Sequence, residues 1–199
     1  MIRFGIVGAG GIAQKFARDI QFVDGAVLAA VASRNIERAN EFKHEHNIEY
    51  AFGSYEDMAK SDKIDAVYIA TPHNFHMEQS ILFMNHKKHV LCEKPISMVA
   101  EEIDRLIDLR DETQLLAAEA YMVVHHPQWQ LVKDFVDTGK IGQLVQIDGV
   151  FSYNNADDPM NIRNQAKYGG GGIPDIGVYP YGVSRFVTGC EPTKILFAD

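Results

Sequence analysis

Cysteine, clustered positive charge and long apolar runs are all scarce in this chain of 199 residues. The two cysteines are far apart, which excludes the short spacings of metal motifs and suits a reducing compartment. Basic residues number 19 against 27 acidic ones and form no cluster, so nucleic acid and anionic membranes are excluded as partners. Apolar runs such as residues 26–32 are far shorter than the roughly 20 residues of a membrane span. No signal-peptide pattern is visible at the N-terminus, and we expect a cytoplasmic protein.

The first 120 residues alternate short apolar runs with amphipathic segments, which is the rhythm of βαβ units. Continuous apolar runs predict buried parallel strands at residues 2–7, 27–32, 66–70 and 89–92. A weaker run at residues 48–52 is a further candidate, and residues 115–120 are expected to form a sixth strand that closes the unit. Amphipathic patterns predict helices at residues 12–22, 36–46, 75–85 and 99–112, with Asn35 as the N-cap of the second. The sequence therefore predicts an α/β fold with a Rossmann dinucleotide-binding domain over residues 1–120.

From residue 121 the pattern changes. Residues 125–138 predict one amphipathic helix, which Gly139 ends. Residues 144–154 alternate apolar and polar side chains, a pattern typical of a half-exposed antiparallel strand, and residues 193–197 begin another. A strand needs neighbours, and few are available in this region. We therefore expect residues 121–199 to be the incomplete start of an α+β domain, in a chain truncated at its C-terminus.

A glycine motif follows the first strand and opens the first helix. Its pattern is Gly8–x–Gly10–x–x–Ala13. Gly8 permits a tight turn, Gly10 lets the backbone approach a pyrophosphate, and Ala13 allows the helix to pack closely on the strand. Taken alone, such a motif can also be a plain turn without a ligand. The βαβ repeats around it favour dinucleotide binding instead. Gly11 and Ile12 then lie at the start of the helix, where the N–H groups are free to bind phosphate.

The end of the second strand bears on the choice of cofactor. An acidic residue that binds the ribose hydroxyls of NAD is expected about 20 residues after the motif, and Ser33 and Arg34 stand there instead. A hydroxyl and a guanidinium suit a 2′-phosphate, so NADP(H) is favoured and NAD(H) is possible. The alternative is a solvated loop in which Arg34 stacks on adenine of either cofactor.

Four segments resemble the glucose-fructose oxidoreductase / inositol dehydrogenase (Gfo/Idh/MocA) family in order and spacing. They are GIVGAGGIA (5–13), ATPHNFHMEQS (70–80), HVLCEKP (89–95) and GGGGIPDIGVYP (169–180). The resemblance covers nearly the whole chain, and DIGVYP is closest to the NADP-preferring dihydrodiol and xylose dehydrogenase branch. It implies that the second domain is a mostly antiparallel open sheet that binds substrate. It also implies that the full-length form is a homo-oligomer.

The resemblance also implies roles for individual residues. Lys94 matches the catalytic lysine beside the nicotinamide, in a loop where the following Pro95 is often cis. Ile12 matches the nicotinamide side of the pocket. The remaining cofactor-binding positions are Thr71, Pro72, Asn74, His76 and Glu93. Asp175 and Tyr179 match the acid–base pair, and Lys94, Arg163, Asp175 and Tyr179 are the candidate substrate-binding residues.

These residue types suit the oxidation of a secondary alcohol, which needs a base within hydrogen-bond reach of the hydroxyl. Tyrosine is a weak base unless a nearby ammonium favours its phenolate, and we expect Lys94 to do this for Tyr179.

Asp175 lies one helical turn before Tyr179, in a short turn after which Pro180 starts a longer helix. Gly169–Gly172 are expected to let the backbone pass close to cofactor or substrate. A core aromatic at Tyr179, a helix cap at Asp175 and a surface arginine at Arg163 are the alternatives.

The sequence therefore predicts an NADP-dependent oxidoreductase that acts on a sugar, polyol or cyclic diol. A non-enzymatic NAD(P)-binding regulator and an inactive piece of such an enzyme are the two alternatives. The neighbouring pairs His125–His126 and His73/His76 raise the possibility of a metal site. No carboxylate or cysteine is spaced to complete one, so we expect no metal.

Overall fold

A six-stranded parallel sheet organises the first 120 residues. The structure, a computed structural model, describes residues 1–197, and the chain divides into two compact units, Met1–Ala120 and Tyr121–Asp199. The strands are β1 (Ile2–Val7), β2 (Ala26–Ala32), β3 (Tyr50–Phe52), β4 (Ala66–Ile69), β5 (His89–Cys92) and β6 (Ala117–Glu119). Their spatial order is β3-β2-β1-β4-β5-β6. The order reverses between β1 and β4, and ligands of such folds bind in the crevice beyond the strand ends there.

Helices join these strands. They are α1 (Gly11–Asp19), α2 (Ile36–His46), α3 (Tyr55–Lys60), α4 (His76–Asn85) and α5 (Ala100–Thr113). The predicted N-cap of α2 is confirmed, because the Asn35 side chain accepts a hydrogen bond from the Arg38 N–H at 2.8 Å. The first helix is shorter than predicted and continues as a 3₁₀ turn over Ile20–Phe22.

The core of the first unit lies on both faces of the sheet. Every residue of β4 is buried, and successive side chains of a strand point to opposite faces. Val67 packs in one apolar cluster with Phe83 of α4. Tyr68 packs in the other cluster with Ala13 of α1. Helices on both faces of the sheet explain why the predicted strands are apolar throughout rather than alternating.

The second unit consists of helices and turns. Its α-helices are α6 (Pro127–Asp137) and α7 (Val178–Thr188), joined by 3₁₀ turns at Ile162–Asn164 and Ala166–Tyr168 and by a π-helical turn at Ile173–Gly177. The longer helix starts near Pro180 as predicted, since α7 starts at Val178, two residues earlier. Pro180 is then its third residue, and the π-helical turn at Ile173–Gly177 leads directly into it.

Two further predictions differ from the structure. Helix α3 is missing from the prediction because its six residues are too few to show a helical period. The strands expected over residues 144–154 and 193–197 are not formed, and the only sheet among the described residues is the parallel one. An alternating pattern becomes a strand only when another strand pairs with its backbone groups, and residues 121–197 supply none.

Candidate functional site

The turn after β1 is built as the glycine motif predicts. Gly8 adopts φ +93°, a conformation that favours glycine, and a Cβ there would lie 2.9 Å from Thr71 Cγ2. Gly10 precedes α1 as its N-cap and has no side chain to cover the first N–H groups of that helix. Ala13 is fully buried against the sheet. The first N–H groups of α1 are therefore not covered by a capping side chain, and this fits a dinucleotide pyrophosphate.

At the end of β2, Ser33 is buried and Arg34 is exposed. The Ser33 Oγ accepts the Asn35 N–H at 3.3 Å, and the Arg34 guanidinium lies 5.6 Å from the centroid of the Phe75 ring. Burial raises the pKa of Tyr55, while the positive charge and hydrogen bond of Arg34 oppose that rise. The guanidinium thus lies near the Phe75 ring and the Tyr55 hydroxyl, at the edge where a 2′-phosphate or adenine is expected.

The loop after β4 carries the next group of candidates. The Thr71 hydroxyl donates to Gln79 Oε1 at 2.6 Å, and Asn74 is exposed. His76 is fully buried at the start of α4, with both ring nitrogens 2.8 Å from carbonyl oxygens of Thr71 and Pro95. The His76 ring therefore joins the loop after β4 to the loop after β5.

The loop after β5 carries Glu93, Lys94 and Pro95. The Lys94–Pro95 peptide bond is cis, as the resemblance implied. One Glu93 oxygen accepts the Tyr68 hydroxyl, and the other accepts the Lys94 N–H at 3.3 Å. Burial, followed by the nearby Glu93 charge, raises the pKa of Tyr68, so this phenol stays protonated and donates. The Glu93 carboxylate is thereby fixed beside Lys94.

In the second unit, Asp175 is the centre of a polar cluster. Only 4% of its surface is exposed, and its two oxygens accept from the Tyr153 hydroxyl at 2.5 Å and from Arg163 Nε at 3.2 Å. The hydrogen bond to Asp175 raises the pKa of Tyr153. This network brings together two of the predicted site residues, Arg163 and Asp175, and it holds the Asp175 side chain in a fixed orientation.

The four glycines have a structural role within this cluster. A Cβ on Gly170 would lie 2.5 Å from the Arg163 carbonyl oxygen, and the Gly171 N–H donates to that same oxygen at 2.8 Å. Gly169 adopts φ +75° at the end of a 3₁₀ turn. The backbone at Gly170 and Gly171 therefore makes a close approach, as expected, but to the Arg163 segment rather than to a cofactor or substrate. This contact holds Arg163 beside Asp175.

Tyr179 lies in the first turn of α7 among aromatic rings. The Phe151 ring meets it edge-on at 5.0 Å between centroids, and the Tyr121 hydroxyl donates to the carbonyl oxygens of Val178 and Tyr179, each at 3.3 Å. Beside this region is a cleft of about 290 Å³ that includes Arg163, Asp175 and Asn155 in its lining. Asn155 Nδ2 is buried and has no acceptor among the described residues.

Sequence reasoning missed Tyr153, Asn155 and Tyr68. Tyr153 is 22 residues from Asp175 and Tyr68 is 25 residues from Glu93, so no local spacing connects them. A tyrosine in the middle of an otherwise apolar strand was the one available signal for Tyr68, since a buried hydroxyl needs a partner. The residues described contain no group of three His, Cys, Asp or Glu side chains able to hold a metal ion.

The reversed strand order, the glycine turn and the free start of α1 define a dinucleotide-binding α/β unit. Family models agree with this class. Residues 2–121 match the model described as an oxidoreductase family with an NAD-binding Rossmann fold, and residues 129–199 match the Gfo/Idh/MocA C-terminal domain. The chain therefore belongs to the Gfo/Idh/MocA family. None of the helices within residues 1–197 is long and apolar enough to span a membrane.

Several relatives have named activities. The chain is 37% identical over 185 residues to scyllo-inositol 2-dehydrogenase (NADP⁺) of Bacillus subtilis, with 90% of this chain and 56% of the relative covered. It is 33% identical to trans-1,2-dihydrobenzene-1,2-diol dehydrogenase of Danio rerio, covering 89% and 53%. A solved 3-ketoreductase of Actinomadura kijaniata with NADP and TDP-benzene superposes with a TM-score of 0.82 at 31% identity, covering 94% and 57%. The chain thus spans a little over half the length of these relatives.

Proposed function

We propose that this protein is an NADP-dependent oxidoreductase that transfers hydride between nicotinamide and a secondary alcohol of a sugar, polyol or cyclic diol. The observation that carries the proposal is the family match across both units, to relatives whose names specify such reactions. The glycine turn and the free N-terminus of α1 support the cofactor part. Relatives with NAD(H) as well as NADP have been solved, so NAD(H) is the second cofactor to test.

In this proposal the first unit holds the cofactor. The N–H groups at the start of α1 bind the pyrophosphate, and Ser33 and Arg34 bind the 2′-phosphate, because a hydroxyl and a guanidinium are both donors to phosphate oxygens. The nicotinamide supplies hydride transfer. Glu93 keeps the Lys94 segment in place through its contacts with Tyr68 and the Lys94 N–H.

The acid–base chemistry is assigned to Lys94, Tyr179 and Asp175. Tyr179 accepts the proton of the substrate hydroxyl during oxidation and donates it during reduction. The Lys94 ammonium favours the Tyr179 phenolate and stabilises the charge that develops on the substrate oxygen. Asp175, oriented by Arg163 and Tyr153, accepts a hydrogen bond from a second substrate hydroxyl.

The decisive experiment measures NADPH binding and turnover with the same preparation. The chain is titrated with NADPH by fluorescence, and its oxidation of scyllo-inositol, D-xylose and a trans-dihydrodiol with NADP⁺ is followed by absorbance. Lys94→Met is expected to lower turnover by about 10³-fold and to leave NADPH affinity within a few fold. Lys60→Met, at an exposed position on α3, is the matched control. Undiminished turnover of Lys94→Met would rule out its catalytic role, and NADPH binding without any turnover would favour a regulator.

The choice of cofactor has its own test. Arg34→Asp is expected to weaken NADP⁺ binding by about 100-fold and NAD⁺ binding much less, because the carboxylate repels the 2′-phosphate. Arg105→Asp, which makes the same charge change at an exposed position on α5, is expected to affect neither. Equal losses of NADP⁺ and NAD⁺ affinity in Arg34→Asp would mean that Arg34 contacts adenine instead.

A further inference from the structure

His76 has an unusual pair of neighbours. It is the first residue of α4, and none of its surface is exposed. Its Nε2 lies 2.8 Å from the carbonyl oxygen of Thr71, and its Nδ1 lies 2.8 Å from the carbonyl oxygen of Pro95. Both neighbours are acceptors, and both distances are those of good hydrogen bonds.

A neutral imidazole cannot satisfy both carbonyl groups. It donates from one nitrogen and presents a lone pair at the other, so one of the two contacts would set a lone pair against a carbonyl oxygen. An imidazolium donates from both nitrogens. Burying that charge costs free energy, but each hydrogen bond from a charged donor is roughly twice as strong as a neutral one. The observed geometry therefore favours the doubly protonated ring.

Charged and titratable groups lie on the elements around Pro95. From β5, the Glu93 carboxylate accepts the Lys94 N–H at 3.3 Å, and from β6, the Glu119 carboxylate accepts the Ile96 N–H at 2.8 Å. These two carboxylates and the Lys94 ammonium are the charged groups of the loops on either side of Pro95. The His73 ring, on the turn before α4, lies 5.6 Å from the His76 ring between centroids. Burial raises the pKa of the Cys92 thiol, which therefore adds no charge at neutral pH.

We propose that His76 is a positioning residue which, as an imidazolium, ties the loop after β4 to the loop after β5 and so fixes the Lys94–Pro95 segment. This assigns His76 an action on the protein backbone rather than direct contact with the cofactor. The effect of His76 on turnover rests on the oxidoreductase function proposed above. The protonation state of the His76 ring does not rest on that function. A test can therefore contradict one without contradicting the other.

The first test measures the protonation of the ring directly. Nitrogen-15 NMR of the histidine side chains distinguishes an imidazolium from either neutral tautomer. His86 is the internal reference, because only its Nδ1 contacts a carbonyl oxygen, that of Leu82 at 2.8 Å. Two protonated nitrogens on His76 at neutral pH would support the proposal. A single neutral tautomer at the same pH would overturn it, whatever the activity of the protein.

The second test concerns the position of Lys94. His76→Gln can donate to only one of the two carbonyl groups, and we expect kcat to fall by about 100-fold, as for a catalytic group displaced by about 1 Å. NADPH affinity should change by less than about fivefold, so that the loss falls on kcat rather than on cofactor binding. His86→Gln is the matched control. Unchanged kcat in a folded His76→Gln, or equal losses in kcat and NADPH affinity, would contradict a positioning role. If the variant does not fold, the NMR measurement on the unmodified chain remains decisive.

Discussion

In the first unit the candidate residues stand at the ends of buried parallel strands, whereas in the second they are held by hydrogen bonds around one carboxylate. Gly8, Ser33 and Lys94 each follow a strand whose neighbours on both sides are packed. Asp175 instead depends on Tyr153 and Arg163. Among residues 121–197, Val187 is the one buried apolar side chain. The stability of the first unit therefore comes mainly from apolar burial, and that of the second from polar contacts and close backbone packing.

The largest expected difference between the units concerns an aromatic side chain. Phe83 is fully buried and Phe197 is 80% exposed. Phe83→Ala should lower the free energy of unfolding by about 3–5 kcal/mol, because it loses apolar burial and leaves a cavity. Phe197→Ala should change it by less than about 0.5 kcal/mol. Urea unfolding followed by circular dichroism measures both, and equal effects would remove the contrast between the units.

A glycine pair tests the backbone packing of the second unit. Gly170→Ala places a Cβ within 2.6 Å of two carbonyl oxygens, whereas Gly172→Ala meets nothing within 4 Å. We expect a cost of about 3 kcal/mol for the first change and little for the second. The single tryptophan, Trp129 in α6, reports the unfolding of this unit by fluorescence. If both variants unfold at the same urea concentration, the Arg163 segment is less tightly held than the structure indicates.

Much of the first unit could be predicted from sequence because its signals are local. A strand buried on both faces is apolar throughout, and the Asn35 cap and the glycine turn are each defined by a few consecutive residues. The strand predicted at residues 144–154 is not formed. Alternation of apolar and polar residues indicates which face of a strand would be buried, but it does not indicate a partner strand. The Tyr153–Asp175 and His76–Pro95 contacts join residues 22 and 19 positions apart, which no periodicity connects.

The Tyr153 hydroxyl tests the polar cluster of the second unit. Tyr153→Phe keeps the ring and removes one donor from a carboxylate that is 4% exposed. We expect a loss of about 2 kcal/mol, because a buried carboxylate then lacks one hydrogen bond. Tyr168→Phe, in the neighbouring 3₁₀ turn, is the control. Trp129 fluorescence during urea unfolding measures the effect, and similar small changes in both variants would mean that the Tyr153 hydroxyl does not hold Asp175.

The smallest expected effect concerns an ion pair of the first unit, Arg3 with Asp65. The Arg3 guanidinium donates to both Asp65 oxygens, at 2.6 and 3.0 Å, and this hydrogen bonding lowers the pKa of Asp65 from 3.8 to about 2. Because the pKa is lower in the folded state, the pair stabilises the fold above pH 3.8, and the contribution is lost as the pH falls through about 2. Both side chains are about 40% exposed, so solvent screening keeps the contribution small.

Asp65→Asn should therefore lower the melting temperature slightly at neutral pH, and the difference from the unmodified chain should vanish as the pH falls from about 3.8 to about 2. Added salt should reduce the difference at neutral pH, because exposed charges are screened. Asp108→Asn, at an exposed position on α5, is the control and should show neither dependence. A difference in melting temperature that persists unchanged at low pH would mean that Asp65 stabilises the fold through the geometry of its hydrogen bonds rather than through its charge. The first unit would then depend on polar contacts for its stability, as the second unit does.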